Sequence, residues 1–200
     1  MSAGVIFDAD GTLLDSMGFW TSTVYDIVAM SGVDEPEPGL IEKLTPMSMY
    51  EGAVYMKENY GIKMSVEEMI EEENRRVLEF YTTKVTLRPG MEELTAGLLE
   101  RGIPMVVASA TDRSMIESAL AHTGIRSRFG AVLSCSDVGV GKDRPEIFLK
   151  ACEIMGTKPE NTLVVEDNPT AVNTAKNASF RTVMVNDDSL TIGAVLEMLK

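Results

Sequence analysis

The sequence predicts an α/β fold: a doubly wound parallel sheet, Rossmann-like in its core, with a helical cap inserted after the first strand. Three observations predict it. Beyond residue 82, short Val-rich runs alternate with amphipathic segments; residues 15–82 hold no strand-like run; and VIFDADGTLLDS joins a buried strand directly to that helical region. Alternation of this kind builds βαβ units, whose strands lie parallel beneath helices on both faces. The expected division is therefore a core of residues 1–14 and 83–200 and a four-helix insert of residues 15–82.

Ala3–Asp8 reads as the first strand, an apolar run that stops at a pair of carboxylates, Asp8 and Asp10. The insert reads as helices over 16–31, 37–44, 47–60 and 66–81, broken at Gly32, Pro36, Pro38, Pro46 and Gly61. Ser65-Val66-Glu67-Glu68 has the spacing of a capping box at the start of the last helix. The run Glu71-Glu72-Glu73 reads as a solvated helix face, and Met47, Met49, Met56, Met64 and Met69 read as packing residues. Phe19 and Trp20 are expected to face either a cleft or the insert's own core. In the remainder, Ile103–Ser109, Ala131–Cys135, Thr162–Glu166 and Arg181–Val185 read as strands. Gly90–Arg101, Arg113–His122, Pro145–Met155 and Thr170–Ala178 read as the helices between them. The punctuation agrees: Pro89 stands at a start, Asp112 at an N-cap, and Gly102, Gly124 and Gly156 just past ends. His122, the single histidine, reads as a helix-terminal residue.

Composition narrows the function. The chain has 200 residues, 44% of them hydrophobic and 24% charged, with a formal net charge of -13. Such a charge repels nucleic acid and anionic membrane surfaces, and the 18 basic residues are scattered rather than clustered. No stretch approaches the ~18 apolar residues of a membrane helix, and no signal-peptide pattern precedes the first strand. Cys135 and Cys152 form neither a disulfide framework nor a metal spacing. The expectation is a cytoplasmic protein, a monomer or weak homodimer, with a small-molecule partner and neither nucleic acid nor membrane. Asp137–Lys142 (DVGVGK) is no phosphate-binding loop, because Ser136 replaces the upstream glycine and Asp143 the following Ser/Thr.

In an open parallel sheet, ligands bind beyond the carboxyl ends of the strands, near the switch in strand order. Those ends carry Asp8-Ala9-Asp10, then Ser109-Ala110-Thr111, then Lys142 ahead of a helix, then Glu166-Asp167-Asn168. Singly, each is an ordinary cap or turn residue. Four reactive groups converging on one edge read as a site.

DADGTLLDS, ASAT, GKDRPEIF and VVEDN, in this order, resemble the four motifs of the haloacid dehalogenase superfamily. The helical insert is similar to the cap of its β-phosphoglucomutase-like and small-molecule phosphatase branch. The resemblance covers nearly the whole chain. It implies a Mg²⁺-dependent hydrolase of small phosphate monoesters, with Asp8, the carbonyl of Asp10 and Asp167 as metal ligands and Glu166 assisting. It also implies that Ser109, the Ala110 N–H and Lys142 hold the phosphoryl oxygens.

The chemistry is intelligible from the residues. An ionised Asp8 can attack phosphorus without a base to activate it, forming an aspartyl phosphate that water cleaves. Asp10 can protonate the leaving alkoxide and then take a proton from the attacking water, a cycle that begins with Asp10 protonated. Gly11 permits a sharp departure from the strand, and the Thr12 hydroxyl is expected to brace that turn. Asp8, Glu166, Asp167 and a doubly charged phosphoryl group place about five negative charges in one cleft, costing a few kcal/mol per close pair. Lys142 offsets one of them. A divalent cation offsets two more, and an all-oxygen site suits Mg²⁺.

Three alternatives compete with a phosphatase. A phosphomutase would use the same Asp8 and Asp10. Mutases of this resemblance carry an arginine early in the cap and a histidine soon after the first motif, where Met49 and Trp20 stand here. A dehalogenase would lack Asp10, and a non-catalytic phospho-ligand binder would have lost one of Asp8, Asp10, Lys142 or Asp167. The insert is further expected to close over the cleft about connections near Leu14–Ser16 and Thr82–Leu87.

Overall fold

Val-rich runs become strands buried on both faces wherever helices cover a sheet on either side. The computed structural model describes residues 3–33, 36–44, 47, 49–185 and 190–199. Five strands form the sheet: β1 (Gly4–Phe7), β2 (Met105–Ser109), β3 (Ala131–Ser134), β4 (Thr162–Glu166) and β5 (Arg181–Met184). All neighbours are parallel and the spatial order is β3-β2-β1-β4-β5. The chain runs outward from β1 through β2 to β3 and then returns to the other side of β1 with β4. The order therefore reverses at β1, which is where a doubly wound sheet opens its crevice.

Two compact units divide the chain: Met1–Asp15 with Val85–Lys200, and Ser16–Lys84. In the first, helices α5 (Met91–Glu100), α6 (Arg113–His122), α7 (Glu146–Met155), α8 (Pro169–Asn177) and α9 (Ile192–Met198) accompany the sheet. Ile6, Val106 and Val164 pack against Ile147, Phe148 and Ala151 of α7 and Ala171 and Ala175 of α8. The punctuation behaves as its chemistry dictates. Asp112 caps α6 by accepting from the Ser114 N–H, Gly156 ends α7 in the left-handed region at φ 65, and His122 closes α6. Helix α9 was not foreseen. Its seven residues are too few to carry an amphipathic signature, and its Thr191 cap becomes visible only in the fold.

The second unit is helical: α1 (Met17–Ala29), α2 (Leu40–Leu44), α3 (Met49–Tyr60) and α4 (Val66–Thr83). Ile27, Val28, Leu40, Ala53, Met56, Ile62 and Met69 form its own core, so Met56 and Met69 do pack, whereas Met49 is exposed. Pro46, expected to break the insert, lies outside the described residues. The capping box at Ser65 forms in both directions, to and from Glu68. Phe19 stacks on Phe80 with centroids 4.1 Å apart, and the Trp20 indole donates to the Tyr81 hydroxyl at 3.3 Å. These aromatics therefore tie α1 to α4.

One expectation needs correction. The Glu71–Glu73 run is not uniformly solvated: Glu71 is exposed, but Glu73 is buried alongside Met69, Val77 and Tyr81 on one face of α4. Successive helical residues turn ~100° apart, so three in a row cannot share a face. The chain passes from one unit to the other between Asp15 and Ser16 and again between Lys84 and Val85, inside the connections expected near Leu14–Ser16 and Thr82–Leu87. Leu14 and Leu87 pair as an antiparallel bridge, with the Asp15 N–H bonded to the Thr86 carbonyl and the Arg88 N–H to that of Leu13, both at 2.9 Å. Thr82 and Thr83 belong to α4.

Candidate active site

Strand register brings the polar ends together. Phe7 pairs with Val107 on one side and Val165 on the other, so Asp8 leaves the sheet level with Ala108 and Glu166. The Asp8 N–H continues the ladder to the Val165 carbonyl at 2.9 Å, which fixes where its side chain begins. Asp8 is 6% exposed, Ser109 1% and Glu166 1%. Charges this deeply buried persist only with partners.

Lys142 is the partner. Its ammonium donates to Asp8 Oδ1 and, at 2.8 Å, to Glu166 Oε2. A turn places it there: the Arg144 N–H bonds the Gly141 carbonyl at 3.1 Å, just before Pro145 at the N-cap of α7. The other oxygen of Glu166 accepts from the Asn168 N–H at 3.1 Å, so the carboxylate is held from two sides. Asn168 in turn caps α8 through the Thr170 and Ala171 N–H groups. Carboxylate oxygens of Asp8, Glu166 and Asp167 all lie within 4.8 Å of one another.

The electrostatics follow from that crowding. Burial pushes the Asp8 carboxyl up to about 7, with the charge of Glu166 adding to the rise and Lys142 opposing it. Burial likewise carries Asp167 up to about 6, helped by Asp8. Glu166 is raised by burial against the pull of Lys142. For Lys142, burial works to lower its affinity for the proton, but the two carboxylates overcome it and hold the ammonium above its ordinary value. One lysine does not neutralise three carboxylates. A divalent cation fits this donor set: oxygen ligands only, closely spaced, with an excess of negative charge.

The remaining residues fall on the same edge. Ser109 ends β2, and its hydroxyl accepts from the Thr111 N–H at 3.0 Å, folding Ser109-Ala110-Thr111 into a tight turn with Ala110 exposed. Asp10 lies beyond the β1 end, where Thr111 donates its hydroxyl to Asp10 Oδ2 at 2.8 Å. Gly11 takes φ 79, the positive value that lets the chain turn back so that Leu13 and Leu14 bond the Ala9 carbonyl. The Thr12 expectation fails: its buried hydroxyl has no hydrogen-bond partner. The turn is braced instead by those backbone bonds and by Arg88, whose guanidinium donates to the Gly11 carbonyl. Arg88 had no sequence signal, and Thr111, although it stands in the strand-end run Ser109-Ala110-Thr111, had none for its bond to Asp10, because each meets a partner far away along the chain. Asp137, from the rejected DVGVGK run, accepts from the Ser134 N–H and pairs with Arg113.

With this geometry in hand, the chain was compared with known proteins. It matches the family model of haloacid dehalogenase-like hydrolases over residues 3–179. It belongs to that family. A Drosophila melanogaster protein named "Probable pseudouridine-5'-phosphatase" is 33% identical over 192 residues, 93% of this chain and 82% of that one. Hexitol phosphatase B of Escherichia coli K12 is 26% identical over 182 residues, 90% of this chain and 82% of that one. Among solved structures, the β-phosphoglucomutase of Clostridium difficile shares the fold at a TM-score of 0.79 and 22% identity, covering 100% of this chain and 97% of that one. This haloacid dehalogenase-like hydrolase is an enzyme of the phosphatase kind. Among the described residues, no helix is long and apolar enough to cross a membrane.

Proposed function

We propose that this hydrolase is a Mg²⁺-dependent phosphatase of small phosphate monoesters, working through an aspartyl phosphate on Asp8. The observation that carries the reading is the contact of Lys142 with both Asp8 and Glu166 at the reversal of strand order. A structural ion pair gains nothing from three mutually close carboxylates. A phosphoryl-transfer site needs them, because its work is positioning and charge compensation. Asp8 attacks phosphorus, and the ester oxygen leaves with a proton from Asp10. Asp10 then takes a proton from the water that cleaves the acyl phosphate, returning Asp8 as a carboxylate. Lys142 holds Asp8 in line and shares the phosphoryl charge, while Ser109 and the Ala110 N–H take its other oxygens. Asp8, the Asp10 carbonyl and Asp167 would hold Mg²⁺, which supplies electrostatic stabilisation of the transferring group; Glu166 assists by orienting Lys142.

Hydrolysis is favoured over mutase chemistry by Met49 and Trp20, which stand where the resemblance places a mutase's arginine and histidine. By sequence the insert's cations are Lys43, Lys57, Lys63, Arg75, Arg76 and Lys84. Lys43 bonds Glu37 and the Tyr55 hydroxyl, each at 2.8 Å, and Lys57 bonds the carbonyls of Ile62 and Met64. Arg75 and Arg76 both bond Glu72, and Lys63 and Lys84 are exposed. Lys43, Lys57, Arg75 and Arg76 are thus committed to partners within the insert.

The test is Asp8→Asn, nearly isosteric but no nucleophile. It should lower phosphate release from p-nitrophenyl phosphate by roughly 10⁴-fold or more, while wild-type enzyme quenched in acid carries phosphate on Asp8. Wild-type-like turnover in a folded Asp8→Asn preparation would sink the mechanism. Wild-type enzyme should also release phosphate from hexose phosphates faster than it isomerises β-glucose 1-phosphate in the presence of a bisphosphate primer; the reverse order would make it a mutase.

A further inference from the structure

Among the groups on the catalytic edge, Thr111 has no assigned part. From its position we infer that Thr111 is the positioning residue for the proton shuttle, holding the Asp10 carboxyl in its working orientation. This rests on the reading of Asp10 as general acid and base.

The geometry is specific. Thr111 Oγ1 donates to Asp10 Oδ2 at 2.8 Å, joining residues 101 apart in sequence. The backbone of the same residue is tied down too, since its N–H donates to Ser109 Oγ at 3.0 Å. Ser109 is buried and belongs to β2, whose Val107 pairs with Phe7 of β1. Thr111 is therefore anchored to the rigid sheet through its backbone and reaches the loop after β1 through its side chain. One turn after β2 thus serves two reaction parts: Ser109 for the phosphoryl oxygens and Thr111 for the proton carrier.

A hydroxyl suits the second task. Asp10 sits on the loop turned by Gly11, not within a strand, so its carboxyl needs a fixed donor to hold one rotamer. A general acid must lie within hydrogen-bond reach of the atom it protonates, and small misplacements are costly. A hydroxyl donor to one carboxyl oxygen remains satisfied whether the carboxyl is ionised or carries its proton on the other oxygen, because the O–H rotates freely. A lysine or arginine in the same place would hold the carboxylate but resist its protonation. Thr111 can steady Asp10 through both halves of the cycle.

The experiment compares two leaving groups. Alkoxide departure needs a proton; p-nitrophenolate departure does not. Thr111→Val removes the hydroxyl at nearly constant shape, and Thr111→Ser keeps it. Thr111→Val should lower kcat/KM for glycerol phosphate by roughly 10- to 100-fold, within what general acid catalysis contributes, and leave kcat/KM for p-nitrophenyl phosphate within about 3-fold. Thr111→Ser should restore the alkyl substrate. In an Asp10→Asn background, adding Thr111→Val should change neither substrate further, since one acts through the other. If Thr111→Val fails to fold by circular dichroism, Thr111→Ala carries the same comparison. Equal losses on both substrates, no rescue by serine, or an additive loss in the Asp10→Asn background would overturn the role of Thr111. An Asp10→Asn enzyme whose alkyl-to-aryl ratio matches wild type would overturn the shuttle reading itself, and the inference with it.

Discussion

Two glutamates, one in each unit, are buried to nearly the same degree and stand in opposite circumstances. Glu166 is 1% exposed at the end of β4, and Glu73 is 7% exposed in α4. Burial raises the carboxyl of both. Glu166, however, is met by Lys142 on one oxygen and by the Asn168 N–H on the other, with Asp8 and Asp167 close by. For Glu73 burial is the whole cause, and no partner meets it among the described residues. Its neighbours on that helix face are Met69, Val77 and Tyr81. Burial alone therefore does not mark a site. The convergence of further charges, held by backbone at a strand end, does.

The sharpest way to break this contrast is to remove the partner that distinguishes the two glutamates. Lys142→Met leaves Asp8 and Glu166 buried without a counter-charge, and losing one side of a buried pair costs about 3–5 kcal/mol. For a chain of this size that is a fall in Tm of roughly 6–20 °C at neutral pH, with phosphate release lost. The deficit should shrink in acid, where both carboxylates can take protons. A calorimetric series from pH 8 to pH 5 checks this; a Tm deficit independent of pH would show that Lys142 is not balancing these charges.

Next comes the metal. In metal-free protein Asp8 is raised to about 7 and Asp167 to about 6. A carboxyl held higher in the folded than in the unfolded state contributes stability that is full below its unfolded value near 4 and is lost as pH rises through the folded value. These two groups thus make the chelated protein less stable between about pH 4 and 7. If Mg²⁺ binds their ionised forms, as proposed, the rise in Tm on adding Mg²⁺ should grow across the same interval. Chelation should abolish turnover, Mg²⁺ should restore it and Ca²⁺ should restore it poorly; Asp167→Ala should reduce both the rate and the Tm response. The three-glutamate run of α4 should give no such response.

The smallest effect belongs to Glu73. Its folded-state carboxyl is also raised, so its contribution falls as pH rises and is unfavourable at neutrality. Glu73→Gln should therefore stabilise the protein modestly at pH 7, because the amide keeps the polar shape and removes the buried charge. The gain should vanish near pH 4, and Mg²⁺-dependent activity should be unchanged. Destabilisation by Glu73→Gln at pH 7 would mean that the charge has a purpose.

Much of the molecule was legible in the chain itself. The alternation after residue 82 dictated parallel βαβ units, and the order of polar strand ends pointed to the edge that carries the candidate site, because both depend on local periodicity and on a general rule about parallel sheets. Asp112, Gly156 and the Ser65 capping box acted as their local chemistry requires. What only the tertiary structure decided were the meetings across long separations. Lys142 reaches Asp8 134 residues away, Arg88 reaches the Gly11 carbonyl 77 away, and Thr111 reaches Asp10 101 away. Nothing in a local window encodes such a pairing, since it arises from strand register and the return of the chain after the insert. The same limit explains Thr12 and Glu73: residue type predicted a bonded hydroxyl and a solvated acid, but which way a side chain faces, and what lies there, is settled by packing.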